Sequence, residues 1–400
     1  MHSDYGTGHA SRGRTGIRIK AGLAVATLLL TGSAIGWSAA TGPSANAAPA
    51  PGTTAVAEGA TERTIGASGD SYAAIVDRVA PAVVTVRSER RIRTSARSPF
   101  MNDPRFREFF GDRFGAPDPG PRRQEGLGSG VVVRSDGYVL TNHHVVEGAT
   151  SVEVELNDGR TFEAKVVGTD APSDLAVLKI DGTNLAILSL GDSDAVRVGD
   201  IALAVGNPLG IGQTVTMGIV SAKGRATGLG DGSFEDFIQT DAPINRGNSG
   251  GALVSTSGEL IGINSQILSP SGVNIGIGFA IPANMAKNVM TQLIDHGEVR
   301  RGMLGVTVHA ITAESARELG LEEVRGALVD SVEPGGPAGQ AGIQRGDVIV
   351  GINGSTVKDG NELRNTVSQL QPGTTTTVVV MREGRERRID VRLAELRVTD

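Results

Sequence analysis

The chain has 400 residues, no cysteine and a formal net charge of −6. That length suits two or three domains, and so mild an acidic balance gives no electrostatic ground for a nucleic-acid partner. Without cysteine there are no disulfides and no thiol catalysis; this suits an exported protein that folds without oxidative help, but it does not fix the compartment.

Arg12, Arg14, Arg18 and Lys20 precede the apolar run Ala21 to Leu30, which continues through Ile35 and Trp37. Positive charge followed by an apolar run is an export signal. Ser44-Ala45-Asn46-Ala47 fits a small-residue cleavage site, with Pro43 breaking the helix before it. Left uncleaved, residues 19–40 would just span a bilayer. Residues 1–47 therefore read as a signal peptide or a signal anchor, and either one places the rest of the chain outside the cytoplasm. Residues 48–70, rich in Ala, Pro, Gly and Thr, read as a flexible linker. A short helix is predicted over Ser71 to Val79 and a first strand over Ala82 to Val86. Residues 88–126 then break the pattern with Pro, Arg, Gly and several phenylalanines, among them Phe106, Phe109, Phe110 and Phe114. So long an insertion reads as a functional loop or as an aromatic cluster packed on the domain. The basic cluster from Arg87 to Arg97 has no stacking platform beside it and reads as a solvated loop.

Short strands separated by tight turns follow. Ser151 to Leu156, the turn Asn157-Asp158-Gly159, and Arg160 to Val167 form a hairpin signal. No long helices alternate with these strands, so the fold class is mainly β, with two antiparallel β-barrels. From Pro282 to His296, apolar Met285, Val289, Met290, Leu293 and Ile294 mark an amphipathic helix that Gly297 closes. A further module begins near Arg300. It contains Gly302-Met303-Leu304-Gly305-Val306, a Gly-rich stretch from Gly335 to Ile349, Ile352-Asn353-Gly354, a helix over about Gly360 to Leu370 and two closing strands.

Chemistry concentrates at Gly247-Asn248-Ser249-Gly250-Gly251. A serine hydroxyl is a weak nucleophile that needs a base and backbone N–H donors for the oxyanion. Flanking glycines permit the tight turn that exposes it. By itself the pentapeptide equally reads as a link between strands. Of six histidines, His2 and His9 lie in the polar N-terminal tail, His296 ends a helix and His309 lies in the C-terminal module. His143 and His144 remain as candidate bases, at the end of Tyr138-Val139-Leu140-Thr141-Asn142. Adjacent side chains diverge, and the chain has no cysteine, which argues against a zinc site. Asp174 in Ser173-Asp174-Leu175-Ala176-Val177 is the candidate orienting carboxylate, or a structural loop aspartate; Asp170 is its alternative, though Asp170-Ala171-Pro172 reads as turn chemistry. The order His, Asp, Ser is that of chymotrypsin-type proteases, and no Gly-x-Ser-x-Gly elbow is present.

These segments, with Gly128-Ser129-Gly130-Val131-Val132, Gly206-Asn207-Pro208, Thr240-Asp241-Ala242-Pro243-Ile244-Asn245-Arg246 and Gly278-Phe279-Ala280-Ile281-Pro282, make the chain resemble the HtrA/Deg family of serine proteases over about residues 70 to 396. The resemblance implies a chymotrypsin-like double barrel over 71–298, with a regulatory loop inserted at 88–126. It implies His144, Asp174 and Ser249 as the catalytic triad, and Gly247, Asn248 and Ser249 as the oxyanion-hole segment. Residues 299–396 resemble a bacterial-type PDZ domain. There Met303, Leu304, Gly305 and Val306 would capture the C-terminal carboxylate of a peptide that adds a strand to the sheet edge. Pro243 stands six residues before Ser249, where an acidic specificity pocket would carry its carboxylate. The expectation is a preference for small or medium aliphatic residues at P1, in unfolded or misfolded protein, as part of envelope quality control. No cofactor, metal or nucleic acid is implied. A single PDZ copy favours a homotrimer over larger cages, and residues 19–40 offer a membrane attachment. Two rivals share these features: a PDZ-guided chaperone or sensor with little proteolysis, and an esterase, which the motif order disfavours.

Overall fold

The computed structural model describes residues 71–91, 123–207, 212–228, 233–268, 274–319, 321 and 323–396. The expected leader and linker (1–70) and most of the expected insertion, with its phenylalanines, lie outside the described residues. Among the described residues no helix is long and apolar enough to cross a membrane.

A short helix α1 (Ala73–Val79) leads into β1 (Val83–Arg91). The first barrel adds β2 (Arg123–Val132), β3 (Tyr138–Thr141), a one-turn helix α2 (His143–Val146), β4 (Ser151–Glu155), β5 (Thr161–Asp170) and β6 (Leu175–Ile180). Its strands close in the order β1-β2-β3-β6-β5-β4. Alternation fixes which side faces in: in β4, Val152 and Val154 are buried while Ser151 and Glu153 face solvent. The β4–β5 turn falls where Asn157-Asp158-Gly159 predicts it, with the Leu156 N–H on the Arg160 carbonyl at 2.8 Å. β1 is longer than expected. It runs to Arg91 and pairs with β2 from Arg123, so the outer residues of the 88–126 stretch are a two-stranded extension of the barrel.

The second barrel comprises β7 (Ile201–Gly206), β8 (Thr214–Arg225), β9 (Phe237–Thr240), β10 (Ala252–Ser255), β11 (Leu260–Ile267) and β12 (Gly278–Pro282), closed in the order β10-β11-β12-β9-β8-β7. Helix α3 (Ala283–His296) follows at once, and its apolar stripe is the one the sequence predicts. Gly297, at φ 75°, ends it by donating to the Leu293 carbonyl at 3.0 Å. Met285, Val289 and Leu293 join Val131, Leu175, Leu203 and Ile263 in one core cluster that fills the seam between the barrels.

Four residues separate Gly297 from the third unit, a sheet with its own core. Its elements are β13 (Gly302–Met303), β14 (Val306–Ala310), α4 (Ala313–Glu318), β15 (Ala327–Val332), α5 (Pro337–Ala341), β16 (Val348–Ile352), β17 (Ser355–Thr356), α6 (Gly360–Gln369), β18 (Thr375–Arg382), β19 (Arg385–Arg392) and β20 (Ala394–Glu395). Asp359 caps α6 by accepting the Glu362 N–H at 2.9 Å. β14 is an edge strand of this sheet, with α6 running beside it.

Candidate active site

His144 and Asp174 meet because two irregular segments follow β3 and precede β6. Asp174 takes a left-handed conformation, φ 53°, at the end of a 3-10 turn over Ala171–Ser173, a geometry that aspartate tolerates better than most residues. Its carbonyl accepts the His143 N–H at 3.1 Å and the Asn142 amide at 2.9 Å. These bonds bring its carboxylate under the imidazole. Nδ1 of His144 lies 2.9 Å from each Asp174 oxygen, and the His144 backbone N–H donates to Oδ1 at 3.1 Å. Ser265 Oγ adds a further donor, 2.8 Å from Oδ2. Burial by itself would raise the Asp174 pKa; the charge of His144 and these hydrogen bonds outweigh it and hold the group below the usual carboxylate range.

His143 diverges from its neighbour. Its Nδ1 is buried and hydrogen-bonds to none of the described residues, and burial lowers its pKa despite the pull of Asp174. The two histidines therefore separate by geometry: one grips the carboxylate and the other does not.

Ser249 is buried to within 3%, on a loop whose glycines are forced. At Gly250, φ 83°, a Cβ would fall 2.1 Å from the Ser129 carbonyl oxygen, and at Gly251 one would fall 2.3 Å from that of Val205. Gly247 has φ 92°, and the Asn248 N–H closes a turn on the Asn245 carbonyl at 3.0 Å. A positive φ at the third residue of such a turn is a glycine position. The Ser249 hydroxyl donates to the carbonyl of Ser265 at 2.9 Å. Ser265 thus touches both Asp174 and Ser249. It lies in β11, in a stretch with no motif, and sequence reasoning missed it.

Beside this loop, Pro243 is exposed and Ile244 is fully buried. A Cβ at Gly278 would meet Ile244 Cδ1 at 2.9 Å, so the isoleucine fills space next to Gly278. No acidic group stands at the Pro243 position.

In the third unit, Leu304, Val306, Val308, Leu363 and Val367 line a groove between β14 and α6. Gly305, φ 73°, turns the chain at its end. Phe234, from the loop before β9, also lines it. Its ring lies 4.5 Å from the Arg301 guanidinium carbon and 4.7 Å from that of Arg364. The Phe234 N–H donates to the Pro172 carbonyl at 2.7 Å, while the Asn361 and Asn365 amides donate to the Glu235 carbonyl at 2.9 and 2.7 Å. Arg301 forms a two-bond ion pair with Asp170, both groups being more than nine-tenths buried. Asp170 is thus neither the orienting carboxylate nor only a turn residue.

Residues 128–263 match the family described as "Trypsin-like peptidase domain" and residues 302–393 the family described as "PDZ domain". The chain is 47% identical over 325 residues to the periplasmic pH-dependent serine endoprotease DegQ of Escherichia coli K12, covering 81% of this chain and 70% of that protein. It is 44% identical over 348 residues to the periplasmic serine endoprotease DegP of the same strain, covering 81% and 72%. Among solved structures, the HtrA-type protease AlgW with a tripeptide superposes with a TM-score of 0.66 at 44% identity, covering 82% of this chain and 98% of that one.

Proposed function

Because the chain belongs to the HtrA/Deg family of serine endoproteases, we propose that Ser249, His144 and Asp174 perform its peptide-bond hydrolysis. The chain is a serine endopeptidase with one peptide-binding PDZ domain, acting outside the cytoplasm. Its substrates are unfolded or misfolded polypeptides of the cell envelope.

The carrying observation is the grip of Asp174 on His144 Nδ1, through both carboxylate oxygens at 2.9 Å. It fixes the tautomer that leaves Nε2 as the base. Ser249 Oγ attacks the scissile carbonyl carbon as its proton passes to His144 Nε2. The new oxyanion takes the N–H groups of Gly247 and Ser249, each such donor contributing about 2.7–4 kcal/mol in the transition state. The C–N bond breaks as the amine takes the proton from His144, and water repeats the sequence on the acyl-enzyme. At rest the Ser249 hydroxyl is on the Ser265 carbonyl, so that hydrogen bond breaks before attack. A hydrogen bond of that kind is worth about 0.5–1.5 kcal/mol net, a factor of roughly ten at most. The resting site is therefore restrained rather than dead, which favours the enzyme over the chaperone reading. Stoichiometric labelling of Ser249 by a fluorophosphonate, together with casein hydrolysis by the same preparation, tests this; an unlabelled serine in folded protein would overturn it.

Pro243 and Ile244 support a preference for small or medium aliphatic P1 residues. The apolar groove supports capture of peptides with an apolar C-terminus, their carboxylate held at Met303 to Val306. Exposed Ile201 and Ile219 stand opposite each other on β7 and β8, beside Met217 and Val198. This apolar surface supports a homotrimer, and light scattering at three protomer masses is the expected result. Membrane attachment through residues 19–40 is the remaining element of the proposal, read out by whether the protein pellets with membranes.

A further inference from the structure

Ser129 lies in β2 of the first barrel and is completely buried. The nucleophile loop belongs to the second barrel. Three hydrogen bonds of Ser129 cross or border that seam. Its N–H donates to the Ser249 carbonyl at 2.8 Å. Its hydroxyl donates to the Gly247 carbonyl at 2.6 Å and accepts the Asn207 N–H at 2.9 Å. Its own carbonyl accepts the hydroxyl of Thr141 at 2.7 Å, from the strand that leads to His144. We propose that Ser129 is the positioning residue of the oxyanion hole, holding the carbonyls of the two residues whose N–H groups receive the oxyanion. The inference rests on the reading of Gly247 and Ser249 as those donors.

The physical reason lies in Gly247. The turn needs glycine for its positive φ, yet glycine is also the freest residue in the loop. The peptide after it is gripped at both ends, its C=O by Ser129 Oγ and its N–H by the Asn245 carbonyl at 3.0 Å. Only the two torsions of Gly247 then separate a fixed plane from the N–H that must point at the substrate. Preorganisation of this kind counts only where charge develops, in the transition state. The pocket has no slack to substitute for it: a Cβ on Gly206 would lie 2.6 Å from Asn248 Oδ1 and 3.1 Å from Ser129 Oγ. Alanine at 129 fits but leaves the Gly247 carbonyl and the Asn207 N–H without their partner in a buried place, and the loop must shift to satisfy them.

The test is Ser129→Ala in the full chain, with active sites counted by fluorophosphonate titration and turnover measured on a peptide p-nitroanilide. The expected result is kcat per active site down about tenfold with KM unchanged, less than the roughly 10²–10³ lost when an oxyanion donor is removed outright. A peptidyl boronate, which forms a tetrahedral adduct on the serine, should weaken by the same factor as kcat/KM, and a product peptide should not weaken. Ser129→Cys keeps the space filled with a weaker donor and should fall between wild type and alanine. A folded Ser129→Ala with kcat within twofold of wild type overturns the proposal. So does a rise in KM at constant kcat, or failure of both variants to fold, which would make the residue purely structural. Ser249→Ala is the separate arm. If it still hydrolyses peptide, the active-site reading itself is wrong; if it is silent while Ser129→Ala is normal, only this inference fails.

Discussion

The two halves of the proposed catalytic site are held in different ways. On the histidine–aspartate half, the Asp174 carboxylate receives the His144 ring, the His144 backbone N–H and Ser265 Oγ, and its carbonyl receives two further donors. That half is assembled by charge-assisted bonds to side chains. On the serine half, the loop is built from glycines, held through backbone carbonyls, and the nucleophilic hydroxyl is parked on Ser265. The halves also answer to different parts of the molecule. The serine half is tied to the first barrel through Ser129. The aspartate half is tied to the third unit, since Arg301 grips Asp170 and Phe234 hydrogen-bonds Pro172, both within four residues of Asp174. Contacts from the side of the apolar groove therefore reach the segment before Asp174 directly.

The comparison breaks most sharply at the triad. Ser249→Ala should remove hydrolysis, and His144→Ala should cost nearly as much, on the order of 10⁶ in kcat for members that act as a unit. His143→Ala should be mild, because its side chain contacts neither Asp174 nor Ser249 through a hydrogen bond. Active-site-titrated turnover of the three variants decides it. Activity retained in His144→Ala but lost in His143→Ala would reverse the assignment.

The next largest effect is on the buried pair. Arg301→Ala leaves the Asp170 carboxylate buried without its cation, which typically costs about 3–5 kcal/mol. The denaturant midpoint should fall accordingly. A double replacement, Asp170→Leu with Arg301→Met, should be milder than either single change, because desolvation of both charges is then relieved. If Arg301→Ala destabilises the protein yet leaves turnover per active site untouched, the aspartate half does not depend on the third unit.

A smaller effect belongs to Asp236, which follows Phe234 and Glu235 on the same loop. Burial, aided by Asp194 and Glu362 and opposed by Lys223 and Lys358, pushes its carboxyl up from 3.8 to about 6. The folded state thus binds a proton more tightly than the unfolded chain. The stability this gives is complete below the unfolded value, falls as pH rises from 3.8 to about 6, and is gone above it. Asp236→Asn should flatten that slope and raise stability at neutral pH by no more than about 3 kcal/mol, since one pKa unit corresponds to about 1.36 kcal/mol. Unfolding midpoints measured across the acid range check it; an unchanged slope would show that the carboxyl is not constrained by its neighbours.

Much of the candidate site was legible because glycine positions and a carboxylate at the mouth of an apolar strand leave marks in a sequence. Gly247, Gly250 and Gly251 are demanded by φ or by close backbone approach, and the 283–296 helix carries its own stop signal in Gly297. Ser265 was not legible, since one residue of an ordinary strand supplies both a hydroxyl and a carbonyl. Nor was the role of Asp170, whose partner lies 131 positions away. The outer half of β1 also escaped: Arg87 to Arg91 carry no apolar alternation, yet they pair residue by residue with Arg123 to Leu127. That extension matters, because Ser88 Oγ donates to the Val145 carbonyl at 2.7 Å and Arg90 donates to that of His144 at 2.8 Å. β1 thus braces the one-turn helix that carries His144.

The smallest expected effect is the one that joins the two halves. Gly247 is the freest residue of the loop that carries Ser249, which makes that loop the expected moving part. The contacts, however, run from the groove through Phe234 to Pro172, two residues before Asp174. A peptide can shift the site only by binding one arrangement better than another. Severalfold stimulation of casein hydrolysis by a peptide with an apolar free C-terminus requires a difference of only about 1 kcal/mol, the lower end of ordinary coupling energies. An amidated peptide, lacking the carboxylate that Leu304 to Val306 would hold, should not stimulate. Phe234→Ala removes a ring that lines the groove and stacks on Arg301 and Arg364, while its backbone N–H can still reach Pro172. It should keep peptide affinity within a few-fold yet lose the stimulation. Affinity is read by fluorescence polarisation of a labelled peptide, and stimulation by casein release in the same buffer. Full stimulation in Phe234→Ala would show that the signal bypasses the aspartate half and reaches the serine loops by another route.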